Sequence, residues 1–500
     1  MLAIKKIVIL GGGTSGWFSA AVLAHQFKKS SISIELVESD QIGIIGVGEA
    51  TIPPFIDALQ SIDIDPIDFI RETQSTFKLG IKFTDWKTLD HDYLHPFGQI
   101  GQDFNHQNFY QSWLKLSQQG SQLPLMAFSP SAVMCDNNKF AFPNQMPQTP
   151  IQASAFALHL DARLAAKYFR KYAENLGVKR TEGLVEDVAL DDSGFVNHLT
   201  LQDNSKISGD FFFDCSGFRA VILGDALGVE FEDWSEYLTV NKAVTVQTSE
   251  EEDFPTFTES KAQKYGWSWR IPLQHRTGNG YVFDSQYCSV EEAKQTLLDT
   301  VKGVPLTEPQ LVHFKTGMMQ QSWKKNCIGI GLASGFLEPL ESTAIHMITR
   351  GIKQFVRMIP KQHDEILVDE YNRRMRRDFE EIRDFLVMHY CLTQRQDTEF
   401  WKYYREMLLP KGLRHKLELF SSRGLLVTGE EDLFANDNWY SVLEGMGIRA
   451  KNYDPLLDEI EFEEIAAKIK QIPDSILKAI QSIPGHKEFI DKFCPSKNVD

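Results

Sequence analysis

Apolar residues fill positions 4–10 almost without a break, stop at a glycine turn, and return at helical spacing over 17–27 before 32–37 alternates apolar with polar. A near-continuous apolar run predicts a strand buried on both faces, and the succession of strand, turn, helix and strand predicts a βαβ unit at the start of the chain. Three later stretches return to the same theme. Positions 180–201 alternate as a small antiparallel sheet would, 209–217 run apolar into Asp-Cys-Ser-Gly, and 327–332 form a short buried strand entering Ala-Ser-Gly. Residues 77–83 alternate too, with Phe77, Leu79, Ile81 and Phe83 on one face of a strand and Lys78 and Lys82 on the other. Beyond residue 365 the pattern changes to charged, aromatic-rich helices, as over 370–390 and 458–469, with Pro and Gly between them. The expectation is an α/β fold whose nucleotide-binding unit is assembled from separated segments, with a mostly helical C-terminal region packed on it.

Composition narrows the function classes. The 500 residues are 42% hydrophobic and 24% charged, enough for a large core, and the length predicts two or three structural units. Lys plus Arg number 52 against 68 Asp plus Glu, a net charge of −16, and no long basic run is present, so nucleic acid is not an expected partner. Cys135, Cys215, Cys288, Cys327, Cys391 and Cys494 are scattered without a CxxC pair, which predicts reduced, mostly buried thiols in a cytoplasmic protein rather than a disulfide frame or a metal site. The N-terminal apolar run flows straight into glycines and reads as a first strand, not a signal peptide. No stretch approaches the roughly 18 apolar residues of a membrane span, so no membrane partner is expected.

Gly11, Gly13 and Gly16 occupy the positions of G-x-G-x-x-G between the first strand and helix, and Glu38 closes the second strand. Such glycines let a backbone approach a pyrophosphate, the helix N-terminus offers unpaired N–H groups, and the acid accepts from a ribose. The discontinuous layout, with strand-glycine returns near 215 and 331, resembles flavoprotein monooxygenases rather than simple dehydrogenases, which implies a Rossmann-type FAD fold and FAD rather than NAD.

Four motifs stand in order along nearly the whole chain: the glycine turn, GVGEAT at 46–51, WSWRIP at 267–272 and PLEST at 339–343. Their combination resembles the tryptophan-halogenase family of flavin-dependent halogenases. The resemblance implies that reduced FAD reacts with O2 to give a flavin C4a-hydroperoxide, that chloride or bromide attacks it, and that the hypohalous acid formed travels through the protein to an aromatic substrate. It also implies a separate flavin reductase and, since members are often dimers, a homodimer. Flavin contacts are implied at Gly11, Gly13, Thr14, Ser15, Gly16, Glu38, Gly48, Ala50, Val185, Leu332 and Ile345, with GVGEAT as a strap whose Gly46 and Gly48 permit movement.

By position alone Lys78 is an ordinary strand lysine and Lys82 its equal; the family motif selects Lys78 as catalytic, where an ammonium or a haloamine derived from it would present the halogen. Glu341 of PLEST is the implied catalytic carboxylate, with Ser342 beside it, and Glu338 is the nearby comparison, whose plain reading is a turn carboxylate. Ser342 and Thr343 are good N-cap types, and Ile345, Ile348, Ile352, Phe355, Val356 and Ile359 repeat at helical spacing behind them, so PLEST is predicted to end at a helix N-terminus. The family's halide site falls there, on Thr343 and Ala344. Trp267 and Trp269, alternate residues of one strand, are implied to stand between flavin and substrate. His95 and Phe97 in YLHPFG match a segment that sandwiches the aromatic substrate. The segment that clasps free tryptophan in tryptophan-specific members is not evident, so an indole, phenol or pyrrole type of substrate is expected.

The implied segmentation is 1–90 for the FAD-binding βαβ, strap and catalytic-lysine strand, 91–150 for a substrate-region insertion, 151–235 for a return to the FAD domain, 236–310 for a sheet with the tryptophan motif, 311–365 for a second return with PLEST, and 366–500 for the helical C-terminal region. A single-component FAD-dependent aromatic hydroxylase and a non-catalytic flavin protein are the alternative readings. Only one dinucleotide fingerprint is present, and Lys78 with a complete PLEST has no use in either alternative.

Overall fold

Ile7, Val8 and Ile9 are fully buried, as a strand covered on both faces requires, and the strand Lys6–Leu10 lies inside a six-stranded sheet. The computed structural model describes residues 4–42, 48–104, 106–429 and 431–497; Gly46 and the start of the strap motif lie outside them. Strand order in this sheet is 323–324, 327–329, 211–214, 6–10, 33–38 and 179–182, parallel except at the 323–324 edge. Helices Thr14–Phe27, Ala162–Asn175 and Ala344–Met358 pack together beside it. The separated segments at 209–217 and 327–332 thus return to one sheet, and the fold is of the Rossmann type.

A second, seven-stranded sheet runs 310–313, 242–249, 276–283, 266–272, 257–263, 80–84 and 92–96. It carries Trp267 and Trp269 on Gly266–Pro272 and His95 on Asp92–Pro96. A small antiparallel sheet of Gly48–Ala50, Ala157–Asp161 and Thr76–Lys78 joins the end of the GVGEAT motif to the segment that carries Lys78. Among the described residues six α-helices follow residue 364; Asn436–Gly445 packs on the strand Asp92–Pro96 of the second sheet, and Glu365–Cys391 reaches that sheet where His389 stacks on Phe83.

The expectations need four corrections. Residues 77–83 are not one strand: Thr76–Lys78 and Gly80–Thr84 belong to different sheets. The chain crosses at Leu79, whose N–H donates to Thr256 O while its carbonyl accepts from Phe97 N, and at Gly80 a Cβ would stand 2.6 Å from the His95 carbonyl. Lys78 and Lys82 therefore part company, Lys78 fully buried and Lys82 at the rim, 2.6 Å from Asp92. Within 180–201, Lys179–Glu182 pairs parallel with Ser33–Glu38, and only Val185–Leu190 and Val196–Leu201 form, with Lys206–Ser208, the small antiparallel sheet; alternation reveals a strand but not its partner. The first helix begins at Thr14, not Trp17, because the glycine turn feeds it directly. The pattern at 458–469 belongs to a helix running Phe462–Gln481, which continues through Pro473.

Among the described residues no helix is long and apolar enough to cross a membrane. The six cysteines are unpaired, and all but Cys391 are buried.

Candidate active site

At Gly11 φ is +118°, and a side chain would run into the Cys215 carbonyl. Gly16 meets the Gly11 carbonyl in the same way; it draws helix onto strand and is not part of the cavity lining. Gly13 has nothing within 4 Å of the place a Cβ would take, and no side chain caps the helix it begins. The unpaired N–H groups there face a cavity of about 820 Å³. Gly11, Gly13, Thr14, Ser15, Glu38, Gly48, Ala50, Val185, Leu332 and Ile345 all line it.

The open cradle at Gly13 fits a dinucleotide pyrophosphate, and the cavity supplies cations that the sequence reading passed over. Arg163, Lys167, Arg170 and Arg219 line the same walls. The first three recur at i, i+4 and i+7 on helix Ala162–Asn175, a signal available in the sequence. Glu38 stands where a ribose acceptor is expected, with part of its capacity used: Oε1 accepts from Arg180 Nε at 2.5 Å, and Oε2 lies 3.3 Å from Trp17 Nε1.

Trp267, Trp269, Ser342, Thr343 and Ala344 form another part of the cavity wall. Trp269 lies against Gly280, where any side chain would collide with the indole. Ser342 adopts φ +58°, a left-handed conformation uncommon outside glycine, and so turns the chain sharply between Pro339–Glu341 and helix Ala344–Met358. Thr343 caps that helix without a side-chain hydrogen bond, which leaves its first N–H groups to the cavity side, where Ala344 is exposed.

Lys78 lies just behind this wall. Its Nζ donates to Ser342 Oγ at 2.8 Å and to Thr51 O at 3.1 Å, and sits 5.2 Å from the centre of the Phe97 ring. Complete burial pushes its pKa down to about 7, partly opposed by the charge of Glu341. A large neutral fraction at neutral pH makes the amine a nucleophile, which an exposed lysine is not.

Glu341 is buried and clamped by two histidines. His95 Nδ1 lies 2.9 Å from Oε2, and His389 Nε2 lies 2.8 Å from Oε1. Burial alone would raise this carboxyl, but the two histidines outweigh it and hold it at about 2. Each histidine is fixed in turn: Asn438 Nδ2 is 3.0 Å from His95 Nε2, Tyr93 Oη is 2.7 Å from His389 Nδ1, and the His389 ring stacks on Phe83 at 4.5 Å. His389 and Asn438 were absent from the sequence reading, and Tyr93 entered it only as the first residue of YLHPFG. His389 had one signal, a histidine on the apolar face of an otherwise charged helix; Asn438 had none.

Lys78 and Glu341 thus converge through the Ser342 turn, and Ser342 is shared between the cavity and the buried amine. His95 and Phe97 border the same spot, with both nitrogens of His95 engaged.

The family model described as tryptophan halogenase matches residues 6–461. BrvH, a flavin-dependent halogenase from Brevundimonas sp. BAL3, is 39% identical and superimposes with a TM-score of 0.94, covering 98% of this chain and 99% of that one. Xcc4156, a flavin-dependent halogenase from Xanthomonas campestris, is also 39% identical, with a TM-score of 0.95 and full coverage of both chains at 100%. Tryptophan 6-halogenase SttH of Streptomyces toxytricini is 34% identical over 443 residues, 83% of each chain.

Proposed function

The chain belongs to the tryptophan-halogenase family and is an FADH2-dependent halogenase, and on that premise we propose that it halogenates an indole-, phenol- or pyrrole-type aromatic, with Lys78 and Glu341 as its catalytic pair. Enzymes of this family take reduced flavin from a separate reductase, use halide and O2, and act on small aromatic substrates. When bound, the flavin supplies with O2 the oxidising equivalent that converts halide to hypohalous acid.

This chain's own residues do the rest. The N–H groups at Thr343 and Ala344 hold the halide at the helix start, where the backbone dipole favours an anion. Trp267 and Trp269 keep the organic substrate away from the flavin cavity. Ser342 hands the oxidant across the wall to Lys78, whose ammonium hydrogen-bonds the hypohalous acid or whose neutral amine takes its halogen, the N–halogen bond forming as the oxygen–halogen bond breaks and water leaves. The ionised Glu341, held by His95 and His389, stabilises the cationic ring formed on halogen addition and accepts its proton. The observation that carries this reading is the 2.8 Å contact between Lys78 Nζ and Ser342 Oγ, because it links a fully buried amine to the cavity wall.

Relatives bearing on the substrate include the tryptophan 6-halogenase SttH and the tryptophan 7-halogenase RebH, at 34% and 30% identity. The two described only as flavin-dependent halogenases are nearer, at 39%. That difference, together with the missing amino-acid clasp, supports a substrate other than free tryptophan. The unpaired cysteines support a cytoplasmic site of action, and the family resemblance supports a homodimer, which light scattering on the purified protein tests. The function is tested by offering aromatic compounds, tryptophan included, to the enzyme with reduced FAD, O2 and chloride or bromide. A mass increase of one halogen on an indole, phenol or pyrrole is expected; products from free tryptophan alone would overturn the substrate assignment, and hydroxylation without halide would overturn the halogenase chemistry.

A further inference from the structure

Of the two glutamates in GFLEPLEST, Glu341 is accounted for by its histidines, whereas Glu338 is fully buried with no cation acting on it. Its Oε2 accepts from Trp267 Nε1 at 3.1 Å. Its Oε1 is a buried oxygen with no hydrogen-bond partner of good geometry, and the same holds for the hydroxyl of Tyr390, which faces it. The titratable groups around it are two tyrosines of the helical region, Tyr390 on Glu365–Cys391 and Tyr404 on Glu399–Glu406, both held neutral well above the ordinary tyrosine range by burial. A lone carboxylate in such surroundings is costly, so burial favours the protonated form. Protonated, it satisfies both orphans, Oε1–H donating to Tyr390 while Oε2 still accepts from Trp267. Burial pushes the carboxyl up to about 7 against the pull of the Tyr390 and Trp267 donors.

Trp267 is no ordinary wall residue in this arrangement. Its ring lines the flavin cavity, sits 5.9 Å from Trp269 and 6.5 Å from Trp86, and is itself almost completely buried. The only polar handle by which its plane is fixed is the indole N–H. We propose that Glu338 is a positioning residue that holds the Trp267 ring as the partition between the flavin cavity and the Lys78 chamber. Tyr390, which faces Glu338, stacks on Tyr404 at 4.3 Å, and Tyr404 Oη accepts from Thr239 N at 2.9 Å, so Tyr390 is itself held within the helical region.

The coupling consequence rests on the halogenase reading, but the positioning itself does not, and the experiment separates them. The near-ultraviolet difference spectrum of tryptophan is followed with pH in the wild-type protein, Glu338→Gln and Trp267→Phe, with neither halide nor substrate present. The expected result is a transition near neutral pH in the wild type that is absent from both variants. Halogenated product formed per flavin oxidised is then measured at saturating substrate. Glu338→Ala is expected to lose about tenfold in this ratio, with peroxide appearing instead and the rate of flavin oxidation retained, as a small displacement of a positioning group predicts. Glu338→Gln keeps both hydrogen-bonding roles, so it should couple as the wild type does. A transition that persists in Glu338→Gln, or wild-type coupling in both Glu338 variants, overturns the proposal. A wild type that shows the spectral transition yet yields no halogenated product counts against the functional reading while supporting the positioning role.

Discussion

Lys78 owes its reactivity to where it is buried rather than to what it is. Desolvation lowers its pKa to about 7, so between that value and the ordinary lysine value the unfolded chain binds the proton and the folded chain does not. Stability from this group is accordingly present at alkaline pH and falls as the pH drops toward 7, whereas the neutral amine needed for a haloamine grows as the pH rises through 7. Single-turnover halogenation should therefore climb with pH through that midpoint and level off. In Glu341→Gln the charge that draws the Lys78 pKa upward is gone, so the midpoint should move to lower pH while the rate drops by about 10² or more. At the cradle, Gly13→Ala should leave the melting temperature unchanged, because its Cβ meets no protein atom within 4 Å, yet weaken FAD binding about tenfold by occupying the place of the pyrophosphate. Gly11→Ala should lower the melting temperature, since its φ of +118° and the Cys215 carbonyl leave no room. The cradle glycines and the helix start after Ser342 and Thr343 were legible in the sequence because each depends on its own local backbone. The burial of Lys78 was not, because three separate segments enclose it.

The turn at Ser342 and the strand Thr76–Lys78 do the positioning. PLEST was predicted to end at a helix N-terminus, and helix Ala344–Met358 begins there, its Ile345, Ile348, Ile352 and Phe355 buried as the spacing requires. The catalytic-lysine strand was misjudged, since alternation over 77–83 is equally consistent with one strand or with two short ones that cross between sheets. What fixes Thr76–Lys78 comes from the far end of the chain: Phe77 N donates to His486 Nε2 at 3.1 Å, and His486 Nδ1 lies 3.2 Å from Phe254 O. Burial holds this imidazole neutral, its pKa pushed down to about 4, as an acceptor for a backbone N–H demands. His486→Ala leaves a buried N–H unpaired, a cost of roughly 1–3 kcal/mol, and is expected to lower the denaturation midpoint and to slow halogenation without altering flavin affinity.

Across the molecule, the two sheets provide the flavin cavity and its tryptophan wall, and the helices after residue 364 close the back of the reacting chamber with His389, Asn438, Tyr390 and Tyr404. The periodicity of the first 40 residues and the glycine-ended strands near 215 and 331 made the nucleotide-binding half readable in advance. The helical half was readable only as helices, because which of their faces meets which sheet is decided by packing between positions some 300 residues apart, as with Tyr93 and His389, 296 positions from each other. The Lys78–Ser342 contact spans 264 positions and joins the buried amine to the cavity wall. It is tested most directly by a single turnover of Lys78→Met against the wild type, with reduced FAD, O2, bromide and an accepted aromatic, followed by mass spectrometry of the organic product alongside a trap for free hypobromous acid. Brominated product from the wild type, and from the variant free hypobromous acid with product lowered at least about 100-fold, is the outcome expected of an amine that presents the halogen; brominated product from Lys78→Met at the wild-type rate would contradict it.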